Sequence, residues 1–161
     1  MTEHWRCFVA VPLDDGLRRS LGTAIAGWRD DPRTDGLRWV APDALHLTLA
    51  TGRLGAFARP GSARVLWYAV GDPDAALAGI AADLDTELRL GATEPYRPHV
   101  TIARARRRSV DLRGWIETAS EAAPVGTLGV RELRLMRSHL GGGPARYETI
   151  ATAPLGVTAH V

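Results

Sequence analysis

A four-residue pattern, His-apolar-Thr-apolar, occurs twice in the sequence, as HLTL at residues 46–49 and as HVTI at residues 99–102. Successive side chains of a β-strand point to opposite faces, so the histidine and threonine of each segment share one face while the apolar residues pack on the other. Imidazole exchanges protons near neutral pH and a hydroxyl donates hydrogen bonds to an anion, a combination that suits acid–base chemistry on a phosphate. If the two strands are related by an internal pseudo-twofold, their histidines and threonines face one another across a cleft.

Two other interpretations of the paired segments stay open on the residues alone. Both segments could be ordinary strands with polar edge residues, or His46 and His99 could ligate a metal ion. The flanking sequence argues against a metal, because no Asp, Glu or Cys lies beside either segment at ligand spacing. No nucleoside-triphosphate-binding motif is present, which argues against an ATP-driven ligase. We therefore expect chemistry that needs neither a metal nor a cofactor.

The charge pattern places basic residues next to the second segment. All 20 basic residues are arginine, and the formal net charge is +2. The absence of lysine is better explained by a GC-rich genome than by function. Arg104 and the three arginines at 106–108 follow the second segment directly and predict a positive rim beside the cleft. The alternative interpretation is a solvated basic loop.

Length and composition are those of one globular domain spanning residues 1–161. With 45% hydrophobic and 24% charged residues, the chain can bury a single core. No apolar run approaches the length of a membrane span, and the N-terminal residues do not resemble a signal peptide, so we expect a cytoplasmic protein. Cys7 is the single cysteine, which excludes an internal disulfide, and its position in an apolar strand predicts a buried, unreactive thiol.

The predicted elements alternate between strands and helices, which indicates an α+β class with antiparallel hairpins near the C-terminus. One helix is predicted from an N-cap at Asp14 or Asp15 to about Trp28, and a second from an apolar stripe that follows 72–74 and ends at about Leu90. Both paired segments follow the same plan of turn, strand and loop, which predicts a duplicated lobe. The remaining expectations are strands at 6–12, 37–40, 64–70, 129–140 and 145–151, an amphipathic stretch at 110–122 and a glycine loop at 141–143.

The paired segments and their surroundings resemble the 2H phosphoesterase superfamily and, within it, the bacterial and archaeal RNA 2′,3′-cyclic phosphodiesterases, also called 2′-5′ RNA ligases. The resemblance implies a two-lobed fold in which antiparallel sheets related by a pseudo-twofold and flanked by helices enclose a cleft. It covers nearly the whole chain and is carried by RCFVAV at 6–11, LRWVAPDALHLTL at 37–49, RPHVTIAR at 97–104, LMRSHL at 135–140 and GPARY at 143–147.

The resemblance also implies a role for each polar residue of the two segments. In the family's usual assignment, His46 protonates the 3′ leaving oxygen and His99 activates water, which leaves a 2′-phosphate. Thr48 and Thr101 donate their hydroxyls to the non-bridging phosphate oxygens, and Arg104 is a candidate for a further phosphate contact. The near symmetry of the segments leaves the order of acid and base open on sequence alone.

Two aromatic residues, Trp39 and Tyr96, are candidates for stacking on an RNA base, with core packing as the alternative. The expected partners are RNA with a 2′,3′-cyclic phosphate end, such as tRNA halves, or cyclic nucleotides, without a membrane. Reverse 2′-5′ ligation is an implied activity, since attack by a ribose hydroxyl uses the same two histidines. The alternative function is a non-catalytic module that binds RNA ends or nucleotides. The intact pair of histidines favours catalysis, because binding alone needs neither an acid nor a base.

The chain departs from the family pattern after the first segment. Family members carry an additional helix and strand before the part that resembles 64–70, whereas here residues 46–50 lead almost directly into 51–57. This shortening predicts a trimmed lobe with an uncovered sheet edge beside the first segment. We expect a monomer, with an edge-paired dimer as the alternative.

Overall fold

An antiparallel sheet and three α-helices make up the described part of the chain, which confirms the α+β class. The structure is a computed structural model that describes residues 6–51, 60–124, 126–139 and 146–155. In those ranges the strands are β1 (Arg6–Pro12), β2 (Leu37–Trp39), β3 (His46–Thr51), β4 (Val65–Ala69), β5 (His99–Ala105), β6 (Glu132–His139) and β7 (Arg146–Pro154). The helices are α1 (Asp15–Arg29), α2 (Ala76–Leu88) and α3 (Trp115–Glu121). Both paired segments therefore lie on strands, β3 and β5.

The seven strands form one antiparallel sheet in the order β2-β5-β3-β1-β6-β7, with β4 paired to β5. Since β4 pairs along residues 99–104 of β5, strands β2 and β3 share the opposite edge of β5. The two motif strands meet where Leu47 lies opposite Val100, and both residues occupy the second position of the four-residue pattern. This pairing joins a lobe of β1, β3, β6 and β7 to a lobe of β2, β4 and β5.

Each motif strand carries a β-bulge at the fourth position of its pattern. In β3 the register against β1 skips Leu49, and in β5 the register against β4 skips Ile102. A bulge inserts one extra residue and reverses the alternation of side chains beyond it. The two lobes therefore repeat the same irregularity, and in β5 the residues after Ile102 change faces, since Ile102 and Ala103 are both buried on the core side.

The hydrophobic core lies on the face of the sheet opposite the histidines. Apolar residues of the motif strands are almost fully buried there, and α1 packs its apolar stripe of Leu17, Leu21 and Ile25 into the same core. The predicted start of α1 is confirmed, because the Asp14 carboxylate accepts a hydrogen bond from the Leu17 amide at 2.9 Å. The predicted second helix begins at Ala76, and the Asp72 carboxylate caps its first turn.

Two expectations of the sequence analysis are wrong. Cys7 is exposed, because it lies at the start of β1 while the packed core begins at Val9. The strand of the first segment is not a sheet edge, since β3 lies between β1 and β5; among the described strands, β2, β4 and β7 each pair with a single neighbour. The glycine loop at 141–143 and residue 145 lie outside the described residues. Within the described ranges, no helix is long and apolar enough to cross a membrane.

Candidate active site

The pairing of β3 with β5 brings the two histidines and the two threonines of the patterns onto one face of the sheet. With Leu47 opposite Val100 in an antiparallel ladder, the next positions place His46 beside Thr101 and Thr48 beside His99. Leu47 and Val100 themselves are fully buried in the core. The predicted convergence of these four residues follows from this one pairing.

Both imidazoles are held in the same orientation by the same local contact. Nδ1 of His46 lies 2.8 Å from the carbonyl oxygen of Ala44, and Nδ1 of His99 lies 2.7 Å from the carbonyl oxygen of Arg97. A carbonyl oxygen can only accept a hydrogen bond, so Nδ1 carries the proton in each ring. Nε2 is then the atom that gains or loses a proton, and this is the arrangement an acid–base pair requires.

The electrostatic environment of His46 favours its neutral form. Burial lowers the pKa of His46 below the ordinary value of 6.5, the hydrogen bond to Ala44 opposes this shift, and the positive charges of Arg104 and His99 lower the pKa further. In the free protein, His46 therefore stays neutral down to a lower pH than an exposed histidine does.

The lowered pKa of His46 predicts a pH dependence of stability. The folded protein binds this proton more weakly than the unfolded chain, so the contribution is fully present above pH 6.5 and is lost as the pH falls from 6.5 towards the lowered pKa. We expect His46→Gln to lose less stability than wild type between about pH 7.5 and about pH 5. Urea unfolding of both proteins at several pH values measures this, and parallel curves would contradict it.

Arg104 faces the same cleft, which simple alternation along β5 does not predict. After the bulge at Ile102, Arg104 pairs with Arg38 of β2, while their neighbours Ala103 and Leu37 are buried on the core face. Two arginines directly opposite each other repel, and an anion between them relieves that repulsion. Sequence analysis missed Arg38; its position one residue after a core-facing leucine in a strand was the available signal.

Aromatic rings lie against both histidines. The rings of Phe8 and Tyr147 have their centroids 4.8 Å and 5.0 Å from that of His46, and Trp67 lies 6.2 Å from His99. Trp67 is 42% exposed, which leaves much of its ring open to a ligand. Sequence analysis missed all three residues, because their relation to the histidines depends on strand pairing and not on distance along the chain.

The two aromatic candidates for base stacking, Trp39 and Tyr96, are both packed against the hydrophobic core. Trp39 lies on the core side, where its ring packs 6.4 Å from Trp28 and from Trp115, so the alternative of core packing applies to it. Tyr96 is half-buried against the core, and its hydroxyl donates a hydrogen bond to the backbone oxygen of Thr48 at 3.1 Å. Burial raises the pKa of Tyr96, with a smaller contribution from Asp72. Tyr96 thus connects the approach to β5 with β3.

Loss of the Tyr96 hydroxyl is expected to destabilise the connection between the two motif strands. In Tyr96→Phe the ring remains but the partly buried backbone oxygen of Thr48 loses this donor, which costs about 1 kcal/mol of unfolding free energy. Thermal and urea unfolding measure this cost. A variant as stable as wild type would show that Tyr96 does not brace the site.

An open cavity of about 680 Å³ lies on the His46 side of the cleft. Its walls are formed by β1, by β6 and β7, by the turn before β3 and by Arg18 of α1. His46 is the one motif histidine among the described residues that line it. In the part of the chain that the structure describes, no group of three or more His, Cys, Asp and Glu side chains is placed to hold a metal ion.

The resemblance stated from the sequence is confirmed by similarity to a curated relative and to solved phosphoesterase structures. A curated relative, the RNA 2′,3′-cyclic phosphodiesterase of Archaeoglobus fulgidus, is 25% identical over 84% of this chain and 92% of its own. The structure of Escherichia coli LigT complexed with 3′-AMP is 26% identical, with a TM-score of 0.61 over 95% of this chain and 99% of LigT. The protein TT0787 of Thermus thermophilus shares the fold at 21% identity, with a TM-score of 0.64 over 93% and 97% of the two chains. No family model matches the chain.

Proposed function

We propose that this 2H phosphoesterase is an RNA 2′,3′-cyclic phosphodiesterase that works by metal-independent acid–base catalysis. The observation that carries the proposal is the pairing of Leu47 with Val100, together with the matched Nδ1 hydrogen bonds of His46 and His99. Two Nε2 atoms on one face, each in a fixed ring, are what an in-line displacement at phosphorus needs. A site that only bound nucleotides has no need of two such matched rings.

The proposed reaction consumes one water molecule. Nε2 of His99 takes a proton from water as the water oxygen forms a bond to phosphorus, and Nε2 of His46 gives its proton to O3′ as the P–O3′ bond breaks. The product is a 2′-phosphate with a free 3′ hydroxyl. His99 ends protonated and His46 ends neutral, so proton exchange with solvent restores the pair.

Negative charge on the phosphoryl oxygens grows during the attack and needs hydrogen-bond donors. The hydroxyls of Thr48 and Thr101 lie on the same face as the imidazoles, and Arg104 with Arg38 adds positive charge. The anionic cyclic phosphate also opposes the charges that depress the pKa of His46. Substrate binding therefore raises the pKa of His46 and prepares it to act as the acid.

The cavity beside His46 supports the assignment of His46 as the acid. In an in-line displacement the attacking water and the leaving oxygen are on opposite sides of phosphorus, and the leaving oxygen belongs to the nucleoside. A nucleoside needs far more room than water, and the cavity of about 680 Å³ opens beside His46. The name of the Archaeoglobus relative and the 3′-AMP bound to LigT support a substrate with a nucleoside and a phosphate. A ribose hydroxyl in place of water gives the proposed reverse 2′-5′ ligation.

Hydrolysis of an oligoribonucleotide with a 2′,3′-cyclic phosphate end, assayed in EDTA, tests the proposal. We expect turnover by wild type, a 2′-phosphate product, and loss of activity in both His46→Ala and His99→Ala while the variants remain folded. Turnover that requires added metal would contradict the metal-independent mechanism. Tight binding of the oligonucleotide without turnover would indicate a binding module that retains the cleft.

A further inference from the structure

The cavity beside His46 is lined in part by cationic side chains. Three guanidinium groups line it, those of Arg18, Arg134 and Arg146, and they come from α1, β6 and β7. Residues far apart in the sequence therefore bring positive charge to one cavity. The carboxylates in the lining are Asp43 and Glu148.

The ion pairs of the cavity leave positive charge available. The Glu148 carboxylate accepts a hydrogen bond from Nε2 of His139 at 2.9 Å, so it already has a donor within the protein. Arg134 pairs with Glu132, which is not part of the cavity lining. Arg146 is exposed and, within the described residues, forms no ion pair with a carboxylate. An anion that enters the cavity can therefore bind Arg146 without displacing a carboxylate of the described residues.

Arg18 contains an unsatisfied donor next to the same cavity. Its terminal nitrogens bind the Leu13 carbonyl oxygen at 2.7 Å and the Asp15 carboxylate at 3.3 Å, but its Nε is buried and has no hydrogen-bond partner among the described residues. A buried donor without an acceptor is uncommon in folded proteins. The guanidinium is therefore held at the cavity with one hydrogen bond unmade.

In an RNA substrate, a second phosphate lies next to the nucleoside that carries the cyclic phosphate. If O3′ leaves towards His46, the ribose and base enter the cavity, and the ring of Tyr147, at 5.0 Å from His46, forms an aromatic wall for them. In an RNA strand the same ribose carries a phosphodiester on its 5′ oxygen. A free cyclic mononucleoside lacks that second negative charge.

We infer that this cavity is a subsite for the terminal nucleotide of an RNA strand, in which Arg146 binds the phosphate on its 5′ side while Arg134 and Arg18 add positive charge to the cavity lining. The inference rests on the proposed function and goes beyond it, because it assigns a second phosphate-binding site remote from the cyclic phosphate. The arginines distinguish an RNA end from a cyclic mononucleoside by charge. A volume of about 680 Å³ is in the range of sites that hold a nucleotide.

Binding of two product analogues tests the subsite without requiring turnover. Adenosine 2′,5′-bisphosphate and adenosine 2′-monophosphate differ only in the 5′-phosphate, and calorimetric titration gives the affinity for each. We expect wild type to bind the bisphosphate about tenfold more tightly, as for a charge-assisted contact, and the preference to shrink as salt is added. In Arg146→Gln the preference is expected to fall towards unity, with Arg134→Gln as a second variant.

A matched control separates the subsite from a general loss of charge. Arg19→Gln removes the same charge from an exposed position of α1 that does not line the cavity, and it should keep the full preference for the bisphosphate. Equal affinity of wild type for the two analogues, or an equal loss in Arg19→Gln and Arg146→Gln, would overturn the inference.

Kinetics distinguish failure of the subsite from failure of the proposed function. Adenosine 2′,3′-cyclic phosphate with and without a 5′-phosphate are compared as substrates, and the ratio of their kcat/KM values is taken for wild type and Arg146→Gln. We expect a ratio of about ten in wild type that falls in the variant. Turnover with a ratio of one in both proteins overturns the subsite while the phosphodiesterase stands. No turnover of either compound overturns the proposed function, and the binding preference then decides the subsite by itself.

Discussion

His46→Ala is expected to lose about 10²- to 10⁴-fold in kcat on an RNA 2′,3′-cyclic phosphate but much less on bis(p-nitrophenyl) phosphate. The ribose oxygen is a poor leaving group and needs the proton that His46 supplies, whereas p-nitrophenolate leaves without protonation. His99→Ala is expected to lose activity on both esters, because both reactions need water to be deprotonated. Steady-state kinetics on the two esters measure the contrast.

The same comparison decides the order of acid and base, which the near symmetry of the two patterns leaves open. If His99→Ala and not His46→Ala retained activity on the nitrophenyl ester, the two roles would be exchanged. Equal losses on both esters in both variants would contradict separate acid and base roles. Unfolding curves of each variant serve as the control, since His46 also packs against Phe8 and Tyr147.

Thr48→Val and Thr101→Val are each expected to reduce kcat about 10²-fold. Valine has nearly the shape of threonine but lacks the hydroxyl, so the strand and its core packing are kept while one donor to the phosphoryl oxygens is lost. The hydroxyl contact strengthens as charge grows on those oxygens, so kcat should fall more than KM rises. Steady-state kinetics on the cyclic phosphate substrate give both constants.

Serine at the same positions provides the matched control for the threonines. Thr48→Ser and Thr101→Ser keep the hydroxyl and lose only a methyl group, so we expect most of the activity to return. Serine variants as slow as the valine variants would contradict a hydrogen-bonding role. Losses confined to KM would indicate that the hydroxyls hold the substrate and do not stabilise its transition state.

Much of the site could be predicted because it depends on short-range rules. The shared face of His46 and Thr48, and of His99 and Thr101, requires only the two-residue period of a strand. The start of α1 required only a capping aspartate, Asp14, followed by apolar residues at helical spacing. Such features are decided within about five residues of the chain, and the sequence contains all that is needed to infer them.

Other parts of the site depend on which strands pair and where the pairing shifts. The bulge at Ile102 turns Arg104 from the face that alternation assigns to it onto the cleft, where it meets Arg38 from a strand more than sixty residues earlier. Trp67 reaches His99 only because β4 pairs with β5. These contacts join residues that are distant along the chain, so no local pattern contains them.

The order of residue types was enough to infer the chemical groups, the strands that carry them and the face that each pair of groups shares. The packing of Trp39 on the core side, the exposure of Cys7 and the cavity beside His46 could be found only in the folded protein. This division follows from the range of the forces involved. Backbone geometry sets alternation over a few residues, whereas burial and cavities depend on how whole elements pack against one another.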